Sequence, residues 1–244
     1  MIPAGTAGSG RGRVLVTRPE PGLSETLQTL AGLGFAPVPA PLLVIHPLAP
    51  PIPDRVQASL LTSGQAAGPL SSLAPVLRGR PLLAVGDATA ARARAAGFEK
   101  VVSAAGDADR LAGTVRDHLD PSRGPVLLAS GRGQGAALAR RLRGDGFRVI
   151  RRCVYTARPV GILPAPALAA LEQGGIDAIL FFSGETAAAF VRILPPGLRD
   201  ALRGIRALAV SPRAAEPLRT LRWRAVEAAA VPTAASLLAL LEQP

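Results

Sequence analysis

Two segments of this sequence end an apolar run in a hydroxyl residue followed by glycine. In ILFFSGETAAAF, residues 179–190, the run stops at Ser183-Gly184; in SLLTSGQAA, residues 59–67, it stops at Thr62-Ser63-Gly64. This pattern predicts a buried parallel strand turning into a helix, because serine accepts from the first free helix amides and glycine lets the backbone turn sharply. The bare N–H groups of such a turn face whatever lies beyond the strand end, so they suit an anion. Helix capping is part of the role of Thr62, Ser63, Gly64, Ser183 and Gly184 in either case.

Other chemistries find little support. His46 and His118 are too few and too widely separated for a metal site. Cys153 has no histidine close in sequence to activate it, and at two residues from Tyr155 it is expected on the same strand face. Gly131, Gly133 and Gly135 in SGRGQG lack the third glycine spacing and the later acidic residue of a dinucleotide site, so a flexible turn that helps hold a ligand fits better. The single cysteine forms no disulfide within the chain, which makes a reducing cytoplasm the default. No run approaches the ~18 apolar residues of a membrane span. The net charge of +11 invites a nucleic-acid partner, but Lys100 is the only lysine, the arginines are scattered, and aromatics are 3% of residues. That is too little stacking surface for bases; a small polyanionic ligand suits the charge better.

The elements around these turns repeat. Residues 13–38 (strand, turn, amphipathic helix, Gly-Phe, strand) are answered by 125–150, 82–98 by 207–223, and 107–119 by 232–243. Ordered pairs at a nearly constant offset mark a duplicated architecture, and the βα alternation predicts parallel sheets covered by helices. Long helices are expected at 64–74, 212–221 and 233–242. Proline-flanked Leu42–His46 and the stretch 152–157 read as extended linkers outside any central sheet. Pairing the linkers side by side divides the chain. Residues 1–12 form a disordered leader that is not a secretion signal, 13–40 with 159–244 form lobe 1, 41–47 and 152–158 form a linker ladder, and 48–151 form lobe 2. A cleft between lobes, lined by strand-to-helix turns, is the expected ligand site.

The same residues resemble the uroporphyrinogen-III synthase family. The similarity runs through VLVTRP at 14–19, TSxxA at 62–66, VGxATAxxAxxxGF at 85–98, Val154-Tyr155, FFSG at 181–184 and PTxxxLL at 232–238, in the family's order and spacing over residues 13–242. The resemblance implies an α/β fold of two parallel-sheet lobes joined by a two-stranded antiparallel β-ladder. It implies that hydroxymethylbilane, a linear tetrapyrrole, loses water and closes to uroporphyrinogen III with ring D inverted, without metal or organic cofactor. A monomer that takes a small-molecule substrate, with no nucleic-acid or membrane partner, is the accompanying expectation. Tyr155, the only tyrosine, falls at the family's site tyrosine and is the implied proton donor. Arg18, Thr62, Ser63, Gly64, Thr89, Gly131, Ser183, Gly184 and Ser211 become the candidates for binding the substrate's eight carboxylates. Two roles are open to Arg18, a carboxylate contact or a cover on the sheet end, and Thr89 is open to a structural role in its helix.

Two departures stand out. Ser211-Pro212-Arg213-Ala214-Ala215 replaces the family's Gly-Pro-Thr-Thr-Ala, removing two hydroxyls and adding a cation, and no helix fits between Pro53 and Val56. These features keep a second reading open: a non-catalytic bilobed module that binds a tetrapyrrole or another polyanion. A third is an enzyme acting on a nucleotide sugar, which nucleotide binding would separate from the first.

Overall fold

The computed structural model describes residues 11–243, so residues 1–10 of the expected leader lie outside the described residues. Arg11 already belongs to the fold: its amide donates to Gly34 O at 3.1 Å, and its guanidinium lies over the Phe35 ring and pairs with Glu242. In chain order the elements begin with β1 (Arg13–Val16), α1 (Gly22–Gly32), β2 (Ala36–Pro39), β3 (Leu43–Pro47), β4 (Ala58–Leu61), α2 (Ala67–Leu73), β5 (Pro81–Ala84), α3 (Asp87–Ala95), β6 (Lys100–Ser103) and α4 (Ala108–His118). They continue with β7 (Val126–Gly131), α5 (Ala136–Gly144), β8 (Val149–Pro159), α6 (Ala165–Gln173), β9 (Ile176–Phe181), α7 (Gly184–Ile193), β10 (Arg206–Ala209), α8 (Pro212–Ala215), β11 (Ala225–Ala228) and α9 (Ala234–Ala239).

The chain forms two compact units. Residues up to Val44 and from Arg158 onward make unit 1, and Ile45–Ala157 make unit 2. Unit 1 carries a parallel sheet in the order β2-β1-β9-β10-β11. Its strands are apolar without alternation, because both faces are covered: Leu15, Ile179, Phe181 and Ala207 face one core, while Val14, Val16, Leu180 and Leu208 face the other. Helices α6, α7 and α8 supply the first core and α1 and α9 the second. Unit 2 repeats the arrangement with β8-β7-β4-β5-β6, in which α2 and α3 cover one face and α4 and α5 the other.

Strand β3 joins the edge of the unit 2 sheet beside β8, with the antiparallel bonds Leu48 N–H to Val154 O at 2.8 Å and Val160 N–H to Leu42 O at 3.0 Å. The extended linkers are therefore sheet strands, and β8 is one continuous strand rather than a short strand followed by a linker. Proline-bordered β3 takes an edge, where a missing amide costs least.

Three expected long helices are shorter. At 64–66 a 3₁₀ turn precedes α2, because Pro69 has no amide to offer Gln65 O. Helix α8 stops after four residues and passes into a 3₁₀ turn at 216–220, where Pro217 interrupts the ladder in the same way. Helix α9 tightens into a 3₁₀ turn at 240–242.

Candidate active site

Parallel strands place all their carboxyl ends on one edge of the sheet, and in unit 1 that edge collects Arg18, Ser183, Gly184 and Ser211. The order in which the chain adds parallel strands reverses between β1 and β9, the switch point where α/β sheets bind ligands. Ser183 has extended dihedrals and its Oγ accepts from Thr186 N–H at 3.1 Å. Buried Thr186 returns its own hydroxyl to Ser183 O at 2.8 Å, which fixes the turn. Ser211 caps α8 through Ala214 N–H at 3.3 Å. A Cβ on Gly184 would meet only Arg213 O at 3.7 Å and Ala214 Cα at 3.9 Å, so the α7 and α8 turns lie side by side. The Arg18 guanidinium sits 4.3 Å from the centre of the Phe182 ring, crosses Gly22 and donates to Thr26 Oγ1 at 3.2 Å. Arg18 is thus held beside the Ser183 turn.

In unit 2 the switch point falls between β7 and β4. Ser63 Oγ accepts from Gln65 N–H at 3.3 Å, and Thr62, Ser63 and Gly64 open onto the 3₁₀ turn rather than directly onto an α-helix. Arg92 of α3 lies across Gly64, where any Cβ would displace its side chain. Thr89, one turn earlier on α3, is 8% exposed, and its hydroxyl has no hydrogen-bond partner among the described residues. Beyond β7, Gly133 and Gly135 take left-handed φ values of 77° and 78°. Gly131 serves a different purpose. It pairs with Tyr155, and a Cβ there would lie 2.7 Å from the ring's Cζ.

Tyr155 is 3% exposed, and its hydroxyl donates to Gln134 Oε1 at 3.2 Å. A register shift between Ser130 and Gly131 bulges β8, so that Val154 and Tyr155 both enter the same core. Cys153 consequently does not share the Tyr155 face, and its Sγ approaches Tyr155 O at 3.3 Å. Among the described residues no cluster of His, Cys, Asp or Glu could hold a metal ion, and no helix is long and apolar enough to cross a membrane.

A family model described as uroporphyrinogen-III synthase HemD matches residues 24–239. The chain belongs to the uroporphyrinogen-III synthase family. Members are cyclising lyases of haem biosynthesis, and the chain is an enzyme of this class. The fold agrees. The crystal structure of the Helicobacter pylori 26695 uroporphyrinogen-III synthetase superposes with a TM-score of 0.62 at 15% identity, covering 94% of this chain and 97% of that one. A mutant uroporphyrinogen III synthase from the extremely thermophilic bacterium Thermus thermophilus gives 0.50 at 22% identity, covering 95% and 98%. No curated protein matches the sequence.

Against this family background, the residues singled out from sequence separate by unit: Arg18, Ser183, Gly184 and Ser211 gather on the unit 1 edge, and Thr62, Ser63, Gly64, Thr89, Gly131 and Tyr155 belong to unit 2. Sequence reasoning missed Arg92, Gln134 and Thr186. Arg92 follows Thr89 by three residues, so the two share a helix face, a signal available in the sequence. The Thr186 hydroxyl three residues after Ser183 is likewise a legible capping partner.

Proposed function

We propose that the chain dehydrates and cyclises hydroxymethylbilane to uroporphyrinogen III with inversion of ring D. The family match over residues 24–239 carries this reading. The turn amides after β4 and β9, the Ser211 turn, Thr89 and the arginines Arg18 and Arg92 are suitable donors for the substrate's carboxylates, arginine being able to grip a carboxylate with two N–H groups. Tyr155 gives its phenolic proton to the departing hydroxyl of the substrate. The C–O bond breaks, water leaves, the pyrrole N–H proton passes back to the Tyr155 phenolate, and the resulting azafulvene is held so that ring D reacts at its spiro-forming carbon. Positioning and proton transfer supply the catalysis. The hydroxyl orientation fixed by Gln134, and the room that Gly131 leaves for the ring, support Tyr155 in this role.

The protein acts in the cytoplasm as a monomer, with no nucleic-acid or membrane partner and no metal or organic cofactor. The four-residue α8 and the Arg213-Ala214 replacement favour the non-catalytic tetrapyrrole-binding module as a second reading. A coupled assay separates the two: freshly made hydroxymethylbilane is supplied, the products are oxidised, and the type I and type III uroporphyrin isomers are resolved. Excess type III is expected, and Tyr155→Phe is expected to slow its formation by about 100-fold. Type I alone from folded protein would overturn the synthase reading.

A further inference from the structure

Opposite the candidate active edge, four neighbouring strands of unit 2 each begin just after an arginine. Arg148 directly precedes β8, Arg80 directly precedes β5, and Arg123 and Arg55 stand a few residues before β7 and β4. Adjacent strands are about 4.8 Å apart, so the four side chains start close together. All four line one cavity of about 260 Å³, together with Val56 and Gln57. Arg80 donates to Val56 O at 2.8 Å, which ties it to the cavity wall. Among the described residues no ion pair engages any of the four.

The matching edge of unit 1 differs in interleaving carboxylates with its arginines. There Arg206 forms a two-pronged pair with Glu227 at 2.8 and 3.0 Å, Arg11 pairs with Glu242, and Asp177 accepts the Arg13 amide at 2.7 Å. In unit 2 the carboxylate of Asp120 accepts from the amide and hydroxyl of Ser122 and also feels the charge of Arg123 without forming an ion pair with it, and exposed Asp54 pairs with nothing among the described residues. Four guanidinium groups gathered with a single exposed carboxylate in electrostatic reach of one of them repel one another unless an anion joins them.

We propose that this cavity is a binding site for a compact phosphate-type oxyanion, a free diphosphate or the terminal phosphoryl groups of a nucleotide. Planar guanidinium forks match phosphoryl oxygens two at a time. The volume lies just below the ~300 Å³ at which pockets begin to enclose drug-sized ligands, so two phosphoryl groups enter and a nucleoside stays outside. An adjoining cavity of about 390 Å³ shares Gln57 and Arg123 but is also lined by Asp117 and Asp120, which repels an extended polyanion on that side.

Calorimetric titration of the full-length protein at low salt with sodium diphosphate, and separately with metal-free ATP, tests the assignment. Diphosphate is expected to bind at one site and to weaken as salt is raised. Arg123→Gln with Arg148→Gln is expected to weaken it by at least about tenfold, since each removed guanidinium takes charged hydrogen bonds with it. Both side chains are exposed and hydrogen-bond to nothing among the described residues, and an unchanged far-ultraviolet dichroism melt checks the fold of unit 2. Should that double variant unfold, Arg55→Gln with Arg123→Gln reads the same loss. Equal affinity for ATP would identify terminal phosphoryl groups as sufficient, and preference for diphosphate would identify the free anion. Wild-type protein that ignores diphosphate, or a folded variant that binds it as wild type does, would overturn the proposal.

Discussion

The two units reach the same spatial strand order from different chain orders. Unit 1 reads β2-β1-β9-β10-β11 and unit 2 reads β8-β7-β4-β5-β6, so β1 corresponds to β7 and β9 to β4. In unit 2 the paired central strands β4 and β7 lie within one continuous stretch of chain; in unit 1, β1 must wait for β9, whose Leu180 accepts from Thr17 at a separation of 163 residues. A parallel sheet thus specifies which strands neighbour each other and leaves open where the chain enters. Their interiors differ too. Unit 1 packs Phe181, Phe190 and Trp223 edge to face or tilted, with centroids 5.5 to 6.1 Å apart, whereas unit 2 brings a tyrosine against a glycine.

Cutting the chain gives the comparison its largest expected contrast. Residues 45–157 contain β4 to β7, α2 to α5 and all but the outer ends of β3 and β8, and should melt cooperatively as a fragment, by circular dichroism. Residues 158–243 lack β1 and β2, leave β9 as an unpaired edge, and should stay unfolded or aggregate. A cooperative melt from the second fragment would break the asymmetry.

Glycine substitution asks the same question at the strand ends. Gly131→Ala drives a Cβ to 2.7 Å from the Tyr155 ring. It should destabilise the protein by about 1–3 kcal/mol, as overpacking does, and displace the tyrosine. Gly184→Ala meets nothing closer than 3.7 Å and should melt within about 1 kcal/mol of wild type. Equal losses from the two would mean that the close approach at Gly131 is not what constrains unit 2.

Charge pairing comes next in size. Arg206 holds Glu227 through two nitrogens and also donates to Leu240 O at 2.9 Å and Gln243 O at 2.8 Å, so it fastens the 3₁₀ turn that follows α9 to the sheet. Its side chain is only 12% exposed. Arg206→Ala should cost about 2 kcal/mol by leaving Glu227 and two carbonyls without their partner, read as a Tm drop of roughly 4–8 °C. Arg148→Ala, on the corresponding edge of unit 2, should stay within about 0.5 kcal/mol of wild type.

The legible and the hidden parts of the molecule divide along physical lines. Apolar runs such as Ala178–Phe181 and Leu82–Ala84 announce strands buried on both faces, and the Ser183 and Ser63 turns are visible because capping is a local contest over a few amides. The family's ordered motifs point to the enzyme class in the same local way. Pro69 and Pro217 were in view, but their effect depends on where each helix begins, which is settled by packing. The β8 bulge, Arg92 across Gly64 and the Arg206–Glu227 pair depend on which strands and helices become neighbours. No window of sequence contains both partners.

Acid should separate the units by the smallest margin. The Asp107 carboxyl caps α4, and hydrogen bonds from the Arg110 amide and then the Asp109 amide hold it below its ordinary value of 3.8. The Ser122 hydroxyl, followed by the Ser122 amide, holds Asp120 down similarly. Both belong to unit 2. In unit 1 the Arg206 guanidinium is raised above its ordinary value by its hydrogen bond to Glu227, which keeps it charged throughout. A carboxyl depressed in the folded state contributes stability that is present above its unfolded value and lost as pH falls through its folded value. Asp107→Ala should therefore lower the Tm at neutral pH, and the gap from wild type should close as pH drops below 3.8. Trp223, the only tryptophan, reports on unit 1. Far-ultraviolet dichroism should show an acid loss that begins before the Trp223 fluorescence changes. A gap that persists undiminished in acid, or a Trp223 transition that comes first, would assign the acid-sensitive contacts to unit 1 instead.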